Sequence, residues 1–300
     1  MKNNISVAIV TRNRSKLLKE CLYYFTRQTV FPKEIIVVDN NSSDKTKKVI
    51  LSFKKKIPIK YVFEKKVGTG FARNRVLKVV KTKLLAFTDD DCRVSSNWIE
   101  EMLKANMLYP KAVAIQGKSC ALLNRSMVSK VSNNDFKLWC YIYIRKNVNL
   151  SVIDTNNVLI NMDLLKKINI VFDTRFKFCC EDIDVARKLF SEKQSIIYHD
   201  KAIVYFRWRN SFMGFIKQAY RRGNNFALLD SKWDKFNYYK KNNIKIPKFL
   251  NIKNKSIYFY LIQYIGRLFY KMGYFSGTIE ALFSYENNPT FNLKVLFELI

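Results

Sequence analysis

Glu34-Ile35-Ile36-Val37-Val38-Asp39-Asn40-Asn41-Ser42-Ser43-Asp44 passes without a break from β-branched apolar residues into a run of turn formers. A short run that is apolar on both faces and closed by Asp and Asn reads as a buried strand ending in a polar turn. Beyond it, Val49, Ile50 and Phe53 recur among lysines with helical spacing. The same unit lies upstream. Ser6 to Val10 is apolar, Thr11-Arg12-Asn13-Arg14 is the turn, Ser15 is the expected helix cap, and Leu17, Leu18, Cys21, Leu22 and Phe25 follow at helical spacing to about Gln28. Downstream come a strand at Tyr61-Val62-Phe63, a helix from Phe71 to Val80 and a strand from Leu84 to Phe87. Strand alternating with helix implies a parallel, doubly wound α/β sheet. Such sheets bind ligands where strands end and polar turns begin. Here those turns are Thr11 to Arg14, Asp39 to Asp44 and Thr88 to Asp91. Asp44, Ser95 and Ser96 read as helix caps, whereas Asp39 and the Asp89-Asp90-Asp91 run call for another explanation.

Further on, the spacing predicts a helix from Trp98 to Met107, strands at Ala112 to Ile115 and Asn156 to Ile160, and a helix from Met162 to Ile168. Glu181-Asp182 opens another helix, a strand pair follows near Ile196 and Val204, and Ser211 to Leu229 reads as a long basic helix. The expected division is an α/β domain over residues 1–230, with halves 1–117 and 118–230, and a basic, aromatic, helical extension over 231–300.

Lys and Arg total 54 against 24 acidic residues in a chain of 300, a formal charge of +30. A field of that size attracts polyanions. The surplus is mostly lysine beside much Asn and Ile, a bias that an AT-rich genome produces as readily as selection for a partner. The six cysteines show no CxxC pair, which argues for reduced thiols rather than a disulfide scaffold. The amino terminus lacks a secretory pattern, and no stretch of about 18 uncharged apolar residues occurs, so a cytoplasmic protein is expected, at most peripheral on the inner face of the membrane.

Asp89, Asp90 and Asp91 follow a buried strand, where like charges raise one another's pKa or require a counterion. If the backbone stays extended, Asp89 and Asp91 share a side and together hold a hard divalent cation, Mg²⁺ or Mn²⁺, whose other ligands are water and phosphate oxygens. Gly68-Thr69-Gly70-Phe71-Ala72-Arg73 lacks the third glycine of a dinucleotide fingerprint and lies before the wrong helix. Its glycines instead permit close backbone approach, and Arg73 presents a planar fork to a phosphate or carboxylate. Glu181-Asp182 suits a helix start electrostatically, and it also supplies what transfer to a hydroxyl needs, a carboxylate apart from the groups that hold the leaving phosphate.

In this order, Val7-Ala8-Ile9-Val10-Thr11-Arg12-Asn13-Arg14, Ile36 to Asp44, Gly70-Phe71-Ala72-Arg73-Asn74, Phe87-Thr88-Asp89-Asp90-Asp91-Cys92, Trp98-Ile99, Asn156-Asn157, Phe172-Asp173-Thr174-Arg175-Phe176 and Glu181-Asp182-Ile183-Asp184 resemble the family 2 glycosyltransferases of the GT-A fold, from Val7 to about Leu229. The resemblance implies that residues 1–117 bind the nucleotide sugar, a UDP-, GDP- or dTDP-sugar, and residues 118–230 the acceptor, a glycan or a lipid-linked glycan. It implies that Thr11 and Asp39 contact the nucleoside, that Arg73 and Asp89 hold ribose and phosphates, and that Asp91 is the chief metal ligand of a DxD motif. Arg12, Asn41, Gly70 and Asp90 complete the expected donor-binding set. Asp182 matches the catalytic base of an inverting displacement, with Glu181 orienting the acceptor or sharing the base's role. One position departs from the pattern: where relatives often carry a metal-binding histidine, this chain has Phe206, and its single histidine is His199. Weaker metal affinity follows, or positive charge from Arg207 and Arg209 in its place.

The basic, aromatic stretch from Lys232 to Lys255 and apolar Ser256 to Tyr270 admit two readings, docking on an anionic bilayer or packing against the catalytic domain or a second subunit. Two other functions compete, beside a glycosyltransferase-like protein that lacks activity. A nucleotidyltransferase would leave Glu181-Asp182 unexplained. A basic nucleic-acid-binding protein without catalysis lacks any recognisable binding motif, and its aspartate run would repel phosphate, so no nucleic-acid partner is expected.

Overall fold

The structure, a computed structural model, describes residues 4–122, 126–132, 153–233 and 257–284. Most of the Lys232 to Lys255 stretch, and residues 123–125 and 133–152 of the expected acceptor half, lie outside the described residues. Two compact units form. The first comprises Met1–Arg125, Trp139–Lys177 and Glu181–Trp208, and the second Ser126–Leu138, Phe178–Cys180 and Arg209–Ile300.

In the first unit, eight strands form one sheet: β1 (Ile5–Thr11), β2 (Glu34–Asp39), β3 (Ile59–Phe63), β4 (Leu84–Asp89), β5 (Arg93–Val94), β6 (Ala114–Ala121), β7 (Asn157–Asn161) and β8 (Ile196–Phe206), in the order β3-β2-β1-β4-β7-β6-β8-β5. The helices are α1 (Ser15–Phe25), α2 (Thr46–Ser52), α3 (Thr69–Val79), α4 (Trp98–Leu108), α5 (Met162–Lys167) and α6 (Glu181–Ser191). The β3-β2-β1-β4 half is parallel throughout, and its register sets Thr11 beside Asp39 and Val10 beside Asp89. β1 is buried on both faces, as a strand roofed by helices on each side must be. On one face Ala8, Ile36, Leu85 and Phe87 pack with Ala72 and Val76 of α3 and Val185 and Leu189 of α6. Elsewhere Phe25 of α1 meets Trp98 of α4 edge to face at 6.1 Å.

The structure differs from the sequence reading at several points. β7 runs antiparallel to both β4 and β6, so the sheet is mixed beyond its parallel half. Its apolar run carries no sign of direction. The strand pair near Ile196 and Val204 is the single strand β8, with its register shift opposite Gly117 and Lys118. Ser15 is the first helical residue rather than the cap, and its N–H donates to Asp44 at 3.1 Å. Ser95 acts through its carbonyl, which accepts from Trp98 N–H, while its hydroxyl is buried without a partner.

Asn157 locks this irregular region. Its side-chain amide donates to the carbonyls of Lys118 and Ala202 at 2.9 and 3.0 Å, and its oxygen accepts from the Trp98 indole at 2.8 Å. Gly117 leaves room for it, since a Cβ there would lie 2.5 Å from the Asn157 oxygen and 2.6 Å from the Ala202 carbonyl. Gly117→Ala is therefore expected to cost about 1–3 kcal/mol by overpacking, read as a lower midpoint in urea unfolding. An unchanged midpoint would show that Asn157 moves aside freely.

The second unit is described chiefly by two long helices, α7 (Phe212–Trp233) and α8 (Ile257–Ser284). They pack closely because glycines meet backbone: Gly223 of α7 lies on the Tyr270 and Tyr274 backbone, and Gly273 and Gly277 of α8 lie on the backbone of Tyr220 and Asn224. The predicted apolar segment Ser256 to Tyr270 is thus the first half of a longer helix.

Candidate functional site

The carboxyl ends of β1, β2 and β4 bring Thr11, Asp39 and Asp89 to one edge of the sheet. Two asparagines in left-handed geometry, Asn13 (φ 53°) and Asn41 (φ 60°), turn the chain there, a conformation that Asn tolerates better than most residues. Asn13 N–H donates to Ser42 Oγ at 2.9 Å, and its side-chain oxygen accepts from Ser43 N–H at 2.7 Å, so the two turns are stitched together. Asp39 is buried; one oxygen accepts from Ser42 N–H at 2.9 Å and the other from the Tyr61 hydroxyl at 3.2 Å. Asn40, not singled out from sequence, ties in the following loop by accepting from Gly68 N–H at 2.8 Å and donating to the Lys66 carbonyl at 2.7 Å. Arg12 and Asn41 are exposed on these turns.

β4 ends at Asp89, and Asp90 and Asp91 form a turn. The alternation expected of an extended run therefore fails at Asp91. Asp90 is buried, where it accepts from Thr11 Oγ1 at 2.6 Å and from Arg14 Nη1 at 2.6 Å, while the other Arg14 amine holds Asp91. Arg14 is the residue that sequence reasoning passed over, because nothing in a polar turn says which of its cations folds inward. Burial opposes its charge, but Asp90 and Asp91 outweigh that and raise its pKa well above the usual value.

Burial also pushes Asp89 and Asp90 up from the usual carboxylate range, against the opposing pull of Arg73 on the first and Arg14 on the second. Arg73 faces Asp89 at 3.6 Å and bonds Glu181. It is buried, and Glu181 is only 1% exposed with its second oxygen unpartnered. The Glu181 carboxylate is thus enclosed against Arg73. Gly70 approaches protein backbone closely: a Cβ there would sit 3.0 Å from the Asp173 carbonyl.

Asp182, at the start of α6, accepts from Thr155 Oγ1 at 3.2 Å and N–H at 3.4 Å on one oxygen and from Ile183 N–H at 2.9 Å on the other. Its charge contributes to raising Asp89, so the two carboxylates lie near enough to interact. A further acid, Asp154, stands there unannounced by any motif. Burial, then the charges of Asp182 and Asp89, push its pKa up to about 7. Since the folded chain then binds a proton that the unfolded chain gives up at about pH 4, stability falls as pH rises from there to about 7. Asp154→Asn should therefore melt above the wild type at about pH 8, the gap closing near about pH 4. A gap independent of pH would contradict this assignment.

Asp89 and Asp91 offer hard oxygen ligands, and the second Asp91 oxygen meets only the Cys92 thiol, at 3.9 Å. That donor set fits Mg²⁺ or Mn²⁺ completed by phosphate and water. Among the described residues no three His, Cys, Asp or Glu side chains gather to hold a metal by themselves. Phe206 is buried against Trp208 at 4.9 Å between ring centres. His199 bonds Glu101 at 3.2 Å, and Arg207 bonds Glu20 at 2.5 Å. Arg209 belongs to the second unit.

Residues 6–167 match the model of Glycosyl transferase family 2. Validoxylamine A glucosyltransferase of Streptomyces hygroscopicus subsp. limoneus is 35% identical over 106 residues, 34% of this chain and 23% of that protein. Processive diacylglycerol beta-glycosyltransferase of Mycoplasma genitalium is 24% identical over 233 residues, 67% of this chain and 62% of its own length. The chain thus spans about a quarter of the Streptomyces relative and under two thirds of the Mycoplasma one. Among solved structures, mannosyltransferase PcManGT from Pyrobaculum calidifontis, in complex with GDP-Man and Mn²⁺, superposes with a TM-score of 0.59 at 16% identity over 98% of this chain and 78% of that one. S. aureus TarS 1-349 in complex with UDP gives 0.55 at 17% identity over 97% and 74%. Both share the fold. With the family model covering more than half of its residues, this chain belongs to glycosyl transferase family 2.

Proposed function

We propose that the chain transfers a sugar from a nucleoside diphosphate donor to a hydroxyl of a glycan or lipid-linked acceptor, by a single displacement that inverts the anomeric carbon. The observation that carries this reading is Arg73, which faces Asp89 at 3.6 Å and bonds Glu181, the residue before Asp182. Thr11 and Asp39 receive the nucleoside at the ends of β1 and β2, with Arg12 and Asn41 around them, and Arg73 and Asp89 face ribose and phosphates. Asp89 and Asp91 would hold Mg²⁺ or Mn²⁺, which when bound supplies Lewis-acid stabilisation of the departing diphosphate. Asp182, aimed by the two Thr155 hydrogen bonds, takes the proton from the acceptor hydroxyl as it attacks. Glu181 serves this reading by holding Arg73 in place.

The mannosyltransferase bound to GDP-Man and Mn²⁺ and the UDP complex of TarS support a nucleoside diphosphate donor. The test is a thermal-shift screen with UDP-, GDP- and dTDP-sugars, each with and without Mn²⁺. One nucleotide is expected to raise the melting temperature, more strongly with the ion. Stabilisation by oligonucleotides alone would replace this reading with that of a nucleic-acid binder.

A further inference from the structure

Cys179-Cys180 stands directly before Glu181-Asp182 in the chain, and neither thiol takes part in the proposed handling of donor or acceptor. The Cys180 thiol donates to Cys179 Sγ, 3.7 Å away, and the Cys179 thiol in turn reaches the Arg221 carbonyl of α7 at 4.0 Å. Phe178 fastens the same segment, with the Arg221 guanidinium 4.5 Å from its ring centre. Cys180 has φ 75°, a left-handed conformation that is uncommon for a residue with a Cβ and persists only where the surroundings hold it. Cys180 is buried, whereas Cys179 is half-buried and within reach of small reagents. The other described cysteines differ. Cys21 and Cys92 are closed off in the core, and Cys120 is half-buried on β6, where no second sulfur among the described residues touches it.

We propose that Cys179 and Cys180 form a vicinal dithiol, a modification site that peroxide closes to a disulfide and that trivalent arsenicals chelate. In the oxidation the Cys179 thiolate attacks one peroxide oxygen. The O–O bond breaks, hydroxide leaves and takes up the proton that the thiol had released, and Cys179 becomes a sulfenic acid. The Cys180 sulfur then attacks the Cys179 sulfur, the S–O bond breaks, and a second water departs with the Cys180 proton. The two thiols have lost two electrons, and peroxide has been reduced to two waters. Closure brings the sulfurs from 3.7 Å to about 2 Å. Neighbouring α-carbons lie about 3.8 Å apart, closer than relaxed disulfides allow. The bond is therefore strained and easily reduced, as suits a reversible switch rather than a structural staple. Closure also redraws the backbone at Cys180. The next residue, Glu181, is 1% exposed and bonded to Arg73, so it has little room to follow. Oxidation thus disturbs the hold on Arg73, a consequence that rests on the proposed donor role of that residue.

The experiment treats the reduced full chain, freed of reductant, with hydrogen peroxide and reads intact and peptide masses. The wild type is expected to lose two hydrogens from the peptide that carries both cysteines, and dithiothreitol should restore them. Cys179→Ser should abolish that loss, and Cys180→Ala, as a second variant, should do the same. Phenylarsine oxide should bind the wild type at one per chain and each variant at least about a hundredfold more weakly, because a single thiol is left to hold the arsenic. Sulfinic acid at Cys179 without a disulfide, or tight arsenical binding that survives Cys179→Ser, overturns the proposal. Disulfide formation should also cut the donor-induced rise in melting temperature by about half or more, reversibly, with no such effect of peroxide on Cys179→Ser. A full rise in the disulfide form overturns the coupling to Glu181. If no nucleotide sugar stabilises even the reduced chain, the transferase reading fails, while the mass and arsenical readouts still decide the dithiol.

Discussion

Asp182→Asn is expected to lower the transfer rate by roughly 10³-fold, the usual worth of a positioned general base, while donor affinity stays within about twofold of wild type. Asparagine is isosteric and its oxygen still accepts from Thr155, so the pocket keeps its shape. It cannot take the acceptor proton. Nucleotide release in a coupled assay, beside donor titration by calorimetry, separates the two quantities. Because Asp182 also raises Asp89 and Asp154, its neutral variant should lower the pKa of both carboxyls. Turnover within about tenfold of wild type would remove Asp182 from the base's role.

Asp91→Asn should fail differently. It takes away one of two carboxylates available to the ion, and Mn²⁺ affinity, read by electron paramagnetic resonance of the free ion, should fall at least about a hundredfold. Donor affinity should fall with it. Folding should not suffer, because Asp91 contributes to the repulsion that raises Asp89 and Asp90, and Arg14 retains its bond to Asp90. A melting temperature at or above that of the wild type would separate loss of the ion from loss of the fold. Unchanged Mn²⁺ binding would place the metal elsewhere.

How legible the molecule was depends on the kind of information each element carries. The parallel half could be read because each strand is an unbroken apolar run closed by Asn, Asp or Thr, and each helix shows its period. The antiparallel insertion of β7 could not, since Asn157 to Asn161 pack identically whichever way they run. Asp39, Asp89 and Asp182 were visible as acids beside apolar strands or at a helix start. Their partners were not. Arg14 and Arg12 sit two apart in one turn, yet one is drawn onto Asp90 and the other stays in solvent. Asp154 precedes an unremarkable Thr-Asn-Asn, and only the fold sets it among other carboxylates. A helical extension was expected over residues 231–300, and the apolar run Ser256 to Tyr270 marked where its long helix begins but not that it continues to Ser284.

The reversal of β7 bears on how such a chain can diversify. β6 leaves the sheet at the edge where β4 ends, and β7 re-enters at that same edge, with Asn157 beside Thr88. Residues added or removed between those two ends leave the spacing of Thr11, Asp39 and Asp89 untouched, so under the proposed function a change of acceptor need not disturb the nucleotide grip.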